Sequence, residues 1–506
     1  MKKQLLVAMM LVTAVHGFAG SGDSIVASHA AIVEHYSMSN EHARLMWNNP
    51  ALMATAHHNS LTQMGVTISW AHQDEPFVMQ HGTGHVLAEI GAQSYLRLNN
   101  RAAVWGRASY LTGKNRGIKW NSVADYDLLE PDVLADTVGG DTRRERYTFE
   151  GGYGTRLGHW QVGGEMLFRA EQEYRKQDPR MRGIVTDLTL RAGVARHLGL
   201  RYTVGLSMQG NIYRQTCDVD FYKPLGSVPE YQMMGLGEIY TRFSGDINDL
   251  IFKGGGIKLQ ADLLPAGSGL IANVWVSQHS YERVARLLNS LPLTTLYNKE
   301  LAMRAGWRHV GEMNFAVWSD VKYNRRTSDQ HLAGTSSSQI YPVIASMTMY
   351  KNNITTASLN AIVGREGTTT WNIKASAGYS GSRQRFVNPR RSMKLDYAFG
   401  QVAAQLIATP SRSWTLMGEI DGAYYGCTRG NLVIPVVDIE AHFVDMLTHN
   451  FNFLNANYTS AEARFRAYYH FGRSRYSAYA QAAYGITSCS RNEQRHSIII
   501  SLGIKI

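Results

Sequence analysis

From about residue 61 to the end of the chain, apolar and polar positions alternate with a period of two. Trp371, Ile373, Ala375, Ala377 and Tyr379 are separated by Asn372, Lys374, Ser376 and Gly378. Trp414, Leu416, Gly418, Ile420, Gly422 and Tyr424 alternate with Thr415, Met417, Glu419, Asp421 and Ala423, and Tyr476 to Ile486 repeats the pattern. Phe315, Val317, Val321 and Tyr323 do so earlier in the chain. Successive strand residues face opposite sides of a sheet, so each segment predicts a strand with one apolar and one polar face.

A soluble sandwich would alternate too. Three further features point to a bilayer. Short connections (Asn99 to Arg101, Gly158-His159, Leu198-Gly199, Pro265 to Gly269, Val310 to Glu312, Arg365 to Thr369, Thr409 to Arg412, Gly472 to Arg475) alternate with long ones near 113–144, 215–252, 282–298 and 427–453. Tight turns at one rim and long loops at the other are the layout of an outer-membrane barrel. An aromatic residue stands beside nearly every short turn: Trp160, Tyr202, Trp307, Trp371, Trp414 and Tyr476, with Trp105 slightly further along its strand. Such a ring suits a membrane interface. The last segment alternates through Ile498, Ile500, Leu502, Ile504 and Ile506. It resembles the C-terminal strand read by the barrel-insertion machinery, although many of those end in Phe.

Hydrocarbon offers backbone groups no water, so a sheet inside it must close on itself. The predicted fold is therefore all-β, a transmembrane antiparallel β-barrel of about 18 strands beginning near Leu61. Counts of 14 or 16 are the alternatives, because 340–351 reads either as loop or as an extension of the next strand. Lys2, Lys3, the apolar run Leu5 to Val15 and Gly17-Phe18-Ala19 read as a signal peptide, residues 1–19. Cleavage leaves 506 − 19 = 487 residues carrying +11 − 2 = +9. The expected location is the outer membrane of a Gram-negative cell, with its lipids as partners.

Residues 20–59 do not alternate. Ser24 can open a helix through about Tyr36, Asn40 a second from Glu41 to Trp47, and Asn48-Asn49-Pro50 stops it. A short helical segment ahead of the first strand predicts a hatch inside the lumen, with the barrel proper spanning 60–506. Asn49-Pro50-Ala51, just before the first strand, resembles the motif of FadL-like long-chain fatty-acid transporters. The chain as a whole resembles an uncharacterised Bacteroidota outer-membrane barrel family. The resemblance implies a similar N-terminal hatch, with Asn49, Pro50 and Ala51 as its candidate ligand-binding or hatch residues, and a similar cargo.

Charge and composition narrow the rest. With 44% hydrophobic and 18% charged residues the chain is not generally disordered. Lys and Arg are scattered singly, so no nucleic-acid partner is expected. Inward positions carry Glu89, Arg97, Glu165, Arg169, Glu300, Arg304, Asp320, Lys322, Lys374, Glu419, Asp421, Glu462, Arg464 and Arg466. Mixed signs read as mutually paired lumen charges, or less simply as an ion filter, which would concentrate one sign. Eight early histidines (His29, His35, His42, His57, His58, His72, His81, His85) read as solvated or hydrogen-bonded side chains, or as a metal or haem site in the hatch. No metal site or cofactor is assigned. Cys217, Cys427 and Cys489 lack metal-ligand spacing, and Cys427 could pair with Cys489. No local nucleophile–base motif appears, so no enzyme is expected.

Apolar residues in the long loops (Met233-Met234-Gly235-Leu236, Ile239, Phe243; Val284, Leu287, Leu288, Leu291; an amphipathic helix over Val436 to Leu447) read either as loops packed on one another across the mouth or as a groove for an apolar ligand. Two functions follow. One is a plugged barrel taking up an apolar or amphipathic small molecule. The other is a non-transporting barrel whose loops dock a surface lipoprotein, secretion component or receptor.

Overall fold

In the computed structural model the alternating segments become 18 antiparallel strands. The structure describes residues 24–199, 201–222, 229–240, 249–335, 341–435, 439–472 and 476–506. The signal-peptide assignment, the first hatch residues 20–23, Phe243, Val436, Val437 and Arg475 lie outside them. The first six strands are β1 (Leu61–Gln73), β2 (Gly84–Arg97), β3 (Ala102–Ile118), β4 (Gly140–Leu157), β5 (Trp160–Arg175) and β6 (Arg180–Leu198). Next come β7 (Tyr202–Asp220), β8 (Asp249–Pro265), β9 (Gly269–Ala285), β10 (Leu291–His309), β11 (Asn314–Ala333) and β12 (Val343–Arg365). The last are β13 (Thr369–Phe386), β14 (Arg391–Ser411), β15 (Trp414–Val433), β16 (Tyr458–His470), β17 (Ser477–Cys489) and β18 (Gln494–Lys505). Each pairs with its neighbours in sequence. β1 also pairs with β18, from Gln63 opposite Lys505 to Gln73 opposite Arg495, so the sheet has no edge.

The outward residues are the apolar ones. Ile68, Leu206, Ile212, Leu359, Ile420 and Leu502 are all more than half exposed, which in water would be prohibitive and in lipid is required. The chain is an outer-membrane barrel. Trp160, Trp307, Trp414 and Tyr476 stand on the outside beside the short turns, 42% to 48% exposed, at the interface height predicted for them. Trp105 does not join them: it points inward, is buried, and donates its indole N–H to Glu165 at 2.8 Å. Its register is odd where the outward register of β3 is even.

Strands of 12 to 23 residues exceed the roughly 10 that a bilayer needs. The surplus rises above the membrane and extends the wall of the mouth. Residues 343–351 prolong β12 in this way, resolving the ambiguity around 340–351. It also shortens connections expected to be long. β9 and β10 run to Ala285 and from Leu291, so 282–298 is a tight hairpin and not a loop. Asn289 and Ser290 take positive φ there, at 49° and 57°. Short and long connections therefore do not alternate strictly.

Three segments at the mouth fold together into a cap. Leu134–Ala135 and Tyr231–Gly235 pair, and Glu238–Ile239 turns back on the latter. The helix Ala441–Leu454 lays Phe443, Met446 and Leu447 against them, while Phe453 packs with Ala456, Cys489, Phe77 and Tyr458. It starts later and ends later than the 436–447 reading, because the apolar i, i+3, i+4 series runs on to Phe453. Leu134, Leu250, Leu293 and Ala285 are fully buried in this cap core. Most of the described apolar loop residues thus pack on one another, Met233, Met234, Leu236, Leu291, Phe443 and Leu447 in one cluster with Ile239 and Leu288 against it, while Leu287 stays exposed.

All three cysteines are free. Cys427 and Cys489, whose positions in the chain allowed a pairing, do not pair. They stand on β15 and β17 with β16 between, where Tyr425 faces Tyr458 and Tyr458 faces Cys489. Two strand spacings are about 9.5 Å, beyond the roughly 7 Å a disulfide spans.

Candidate functional site: a lumen closed at two levels

Residues 24–59 lie inside the barrel near the short-turn rim. The helix Ser24–Tyr36 forms as expected, but the second expected helix breaks into two 3₁₀ turns, Met38–Ala43 and Met46–Asn48. Ser37 caps the first of them by accepting from the Ser39 N–H. Asn49-Pro50 also does more than stop a helix. The Asn49 side chain accepts from the Ala51 N–H at 3.0 Å and so starts a new turn, Pro50–Met53, with proline at its favoured first position.

That turn sits in a trough of glycines. Gly154, Gly163, Gly193 and Gly205 lie on four consecutive strands, β4 to β7, all facing inward. A Cβ at Gly163 would meet the Pro50 carbonyl oxygen at 2.3 Å, and one at Gly193 would meet Asn49 Oδ1 at 2.0 Å. Asn49, fully buried, donates to Asp262 at 3.2 Å on β8, which also accepts from Gln260 at 3.0 Å and Asn273 at 2.5 Å. Met46, Ala51 and Leu52 pack on Ala195, Ile271, Ala316, Trp318 and Ile362. Sequence reading missed the trough. Its signal was present: isolated glycines inside strands mark a close approach of another backbone.

The remaining wall holds the segment by polar contacts around most of the circumference. Arg304 clasps Asp320 through two bonds of 2.6 and 2.9 Å and donates to the carbonyls of Glu41 and His42. Lys374 meets Glu41 at 3.6 Å, Arg97 reaches His58 at 3.1 Å, and Lys505 donates to Ser28. Beneath the segment a cavity of about 940 Å³, lined by His42, Trp47, Tyr202 and Arg308 among others, opens between it and the short turns.

Of the other inward charges singled out from the sequence, Glu89 pairs with Arg107 at 2.8 Å. Arg464 pairs with Glu462 at 2.6 Å and more loosely with Glu419 at 3.9 Å. Asp421 accepts from Gln401 at 2.7 Å. At these positions acids stand beside bases or amides, as mutually paired lumen charges would. Arg466 has no carboxylate beside it among the described residues. It is bonded to Gln481 at 2.8 Å and stacked on Tyr36, Tyr468 and Tyr479.

The early histidines do not gather. His35 and His42 fall on different elements, separated by the break at Ser37. His35 instead stacks on His57 with centroids 3.9 Å apart, and Trp47 and Tyr95 enclose His57. Burial first, then the neighbouring His35, push the His57 pKa down to about 4. Burial first, then the Arg308 charge, push His42 down to about 4 as well. Both are therefore neutral in the docked segment, and an undocked segment would titrate them near 6.5. Docking gains its full contribution above pH 6.5 and loses it as pH falls from 6.5 through 4, about 1.4 kcal/mol for each unit of difference. A nitroxide introduced through Arg44→Cys should sharpen across that window, and the His42→Gln/His57→Gln double variant should flatten the response. An unchanged line shape down to pH 4 would remove the histidines from docking.

The opposite closure is tied down by four arginines, of which only Arg169 was among the inward charges read from the sequence. Arg283, fully buried on β9, donates to the Met233 carbonyl at 2.8 Å, and Arg391 on β14 donates to the Leu236 carbonyl at 3.0 Å. These two side chains hold the Tyr231–Ile239 hairpin from separate stretches of the wall. On β5, Arg169 binds Asp125 of the β3–β4 connection through two bonds of 2.8 and 2.7 Å. Arg326 on β11 binds Glu130 of the same connection at 3.0 Å.

Among solved structures, similar barrels occur in the ferric enterobactin receptor PfeA of Pseudomonas aeruginosa (TM-score 0.38, 8% identity, 88% of this chain and 80% of that one). They occur also in the siderophore receptor PiuA of Acinetobacter baumannii (0.39, 8%, 88% and 82%) and in the copper transporter OprC (0.40, 8%, 88% and 83%). At this distance the likeness extends to the barrel alone. No curated protein matches the chain. Kinship with FadL-like transporters and a Bacteroidota origin find no support, and the barrel's 18 strands depart from the 14 of that transporter family. Over residues 50–506 the chain matches, and belongs to, a family of unknown function, DUF6850.

Proposed function

We propose that the protein is a non-enzymatic, plugged transport barrel that takes a small polar molecule inward across the outer membrane. The observation that carries this is the lumen itself. Its wall is lined by charged and amide side chains, and it is closed by two separate pieces that are not part of the barrel sheet: the N-terminal hatch, residues 24–59, and the cap. An apolar cargo, expected from the loop residues, loses most of its basis because the described ones, Leu287 apart, are largely spent on packing the cap. The receptors with similar barrels carry names for siderophores and copper, which accords with a polar cargo.

Two closures in series make a specific expectation for planar-bilayer conductance. The intact barrel, a variant lacking 24–56, and one lacking 122–138 and 441–454 should each be silent, and the combined deletion should conduct. Heat-modifiable migration would verify that each barrel is folded. Silence of the folded combined variant would overturn transport and favour a second reading, a barrel that docks a surface protein. One observation favours that reading: Val343, Ile344 and Met347 lie exposed on β12. They stand some 18 residues or more from its periplasmic end, roughly 50 Å up a tilted strand and well above a band of about 25 Å.

A further inference from the structure

The cap descends into the lumen through one helical turn, Tyr126–Leu129, and the residue on each side of that turn is an acid. Asp125, on one side, is gripped by the Arg169 guanidinium of β5 through two parallel bonds of 2.8 and 2.7 Å, and the Tyr213 hydroxyl donates to it at 2.9 Å. Glu130, on the other, is held by Arg326 of β11 at 3.0 Å, and the same guanidinium donates to the carbonyls of Glu130 and Asp127 at 3.1 and 3.0 Å. β5 and β11 are six strands apart, roughly 30 Å around the wall. The turn is therefore a bar across the lumen with one carboxylate clamped at each end.

Apolar contacts would seal a permanent stopper as well, since burying a charge pair returns little net stability. What a guanidinium fork adds is chemistry that any other carboxylate or phosphate can satisfy equally. Glu130 is the one carboxylate within ion-pair distance of Arg326 among the described residues, so its departure frees that cation. Arg169 keeps Glu171 at 3.0 Å and Asp187 at 3.1 Å, but the two N–H groups given to Asp125 lose their best-aligned acceptor. We infer that Asp125 and Glu130 occupy, from within the chain, the binding site of a cargo bearing at least two oxyanionic groups, and that Arg169 and Arg326 are the residues that recognise it. The cargo displaces the bar by exchanging its own carboxylates or phosphates for those of the cap. This deepens the transport reading by naming a substrate class, yet binding can be measured without passage.

The test is equilibrium dialysis of citrate and of pyrophosphate against the full-length barrel in detergent, with acetate as the monoanionic control. Asp125→Asn/Glu130→Gln should bind either dianionic probe at least about tenfold more tightly than the unaltered chain, because the internal competitor is gone. Adding Arg169→Gln and Arg326→Gln should abolish the gain. Should that fourfold variant fail to fold, Arg326→Lys in the double background keeps the charge, loses the fork, and should weaken binding by about tenfold. Tighter citrate alone marks polycarboxylates as the class, and tighter pyrophosphate alone marks phosphates. Equal binding by unaltered chain and double variant, or a gain that survives the arginine substitutions, overturns the site. Arginine-dependent binding in barrels that never conduct would keep the site and remove transport; conduction without such binding would do the reverse.

Discussion

Gly193→Val, alone and more severely with Gly163→Val, should undock the N-terminal hatch while leaving the barrel folded. A Cβ at position 193 would lie 2.0 Å from Asn49 Oδ1 and 3.1 Å from Pro50 Cδ, and one at position 163 lies 2.3 Å from the Pro50 carbonyl oxygen. None of these three atoms is the free end of a flexible chain. Pro50 is part of the backbone turn, and Asn49 is fully buried and bonded at both ends of its amide. Overpacking of this kind costs about 1–3 kcal/mol per site, and the Asn49–Asp262 bond is lost with it. Hydrogen exchange over residues 49–56 should quicken by about tenfold for each 1.4 kcal/mol, with the exchange of β4 to β7 unchanged. Gly400→Ala and Gly418→Ala, which place a Cβ in open space, are the controls. If the hatch peptide exchanges at its ordinary rate in the double variant, the trough is not what holds it.

The largest effect on the barrel as a whole is expected from Glu171→Ala. The Glu171 carboxylate is completely buried and accepts from three guanidiniums, Arg144, Arg146 at 2.7 Å and Arg169 at 3.0 Å. Its removal leaves three largely buried cations converging, with Arg144 and Arg146 stripped of their ion-pair partner and Arg169 keeping Asp125 and Asp187. Breaking a buried pair from one side costs about 3–5 kcal/mol, and here more than one partner is stranded. The urea midpoint of the heat-modifiable form should fall sharply, and raising the ionic strength should recover only a part, because buried charges are weakly screened. Glu282→Ala, whose partner Lys253 is half exposed, should shift the midpoint by no more than about 0.5 kcal/mol. A similar small shift for both variants would mean that Glu171 is not the centre of the network. Because Arg169 also binds Asp125, the cap should loosen along with the wall in Glu171→Ala.

The difference between these two sites and the barrel that carries them lies in how far apart their parts are in the chain. Alternation at a period of two is local, and it directly states which face of each strand meets hydrocarbon. Closure of the sheet, its start at Leu61, the outward band and the interfacial Trp160, Trp307 and Trp414 all follow from that pattern and the bilayer's demand that backbone groups be paired. The same locality explains the errors. Trp105 stands near a turn, but one step of register turns it inward to Glu165, and the pairing of β9 with β10 draws 282–298 into a hairpin. Which loop residues bury each other was open in the sequence, since Leu134, Met233 and Phe443 meet only after folding. The glycine trough has meaning only once Asn49 lies against residues more than 100 positions later, and Asp125 likewise meets Arg169 across 44 positions and Glu130 meets Arg326 across 196. Alternation alone predicts the wall, because its pattern answers a uniform solvent. What closes the lumen emerges only on folding, because those contacts join single residues across the barrel and leave no period to read.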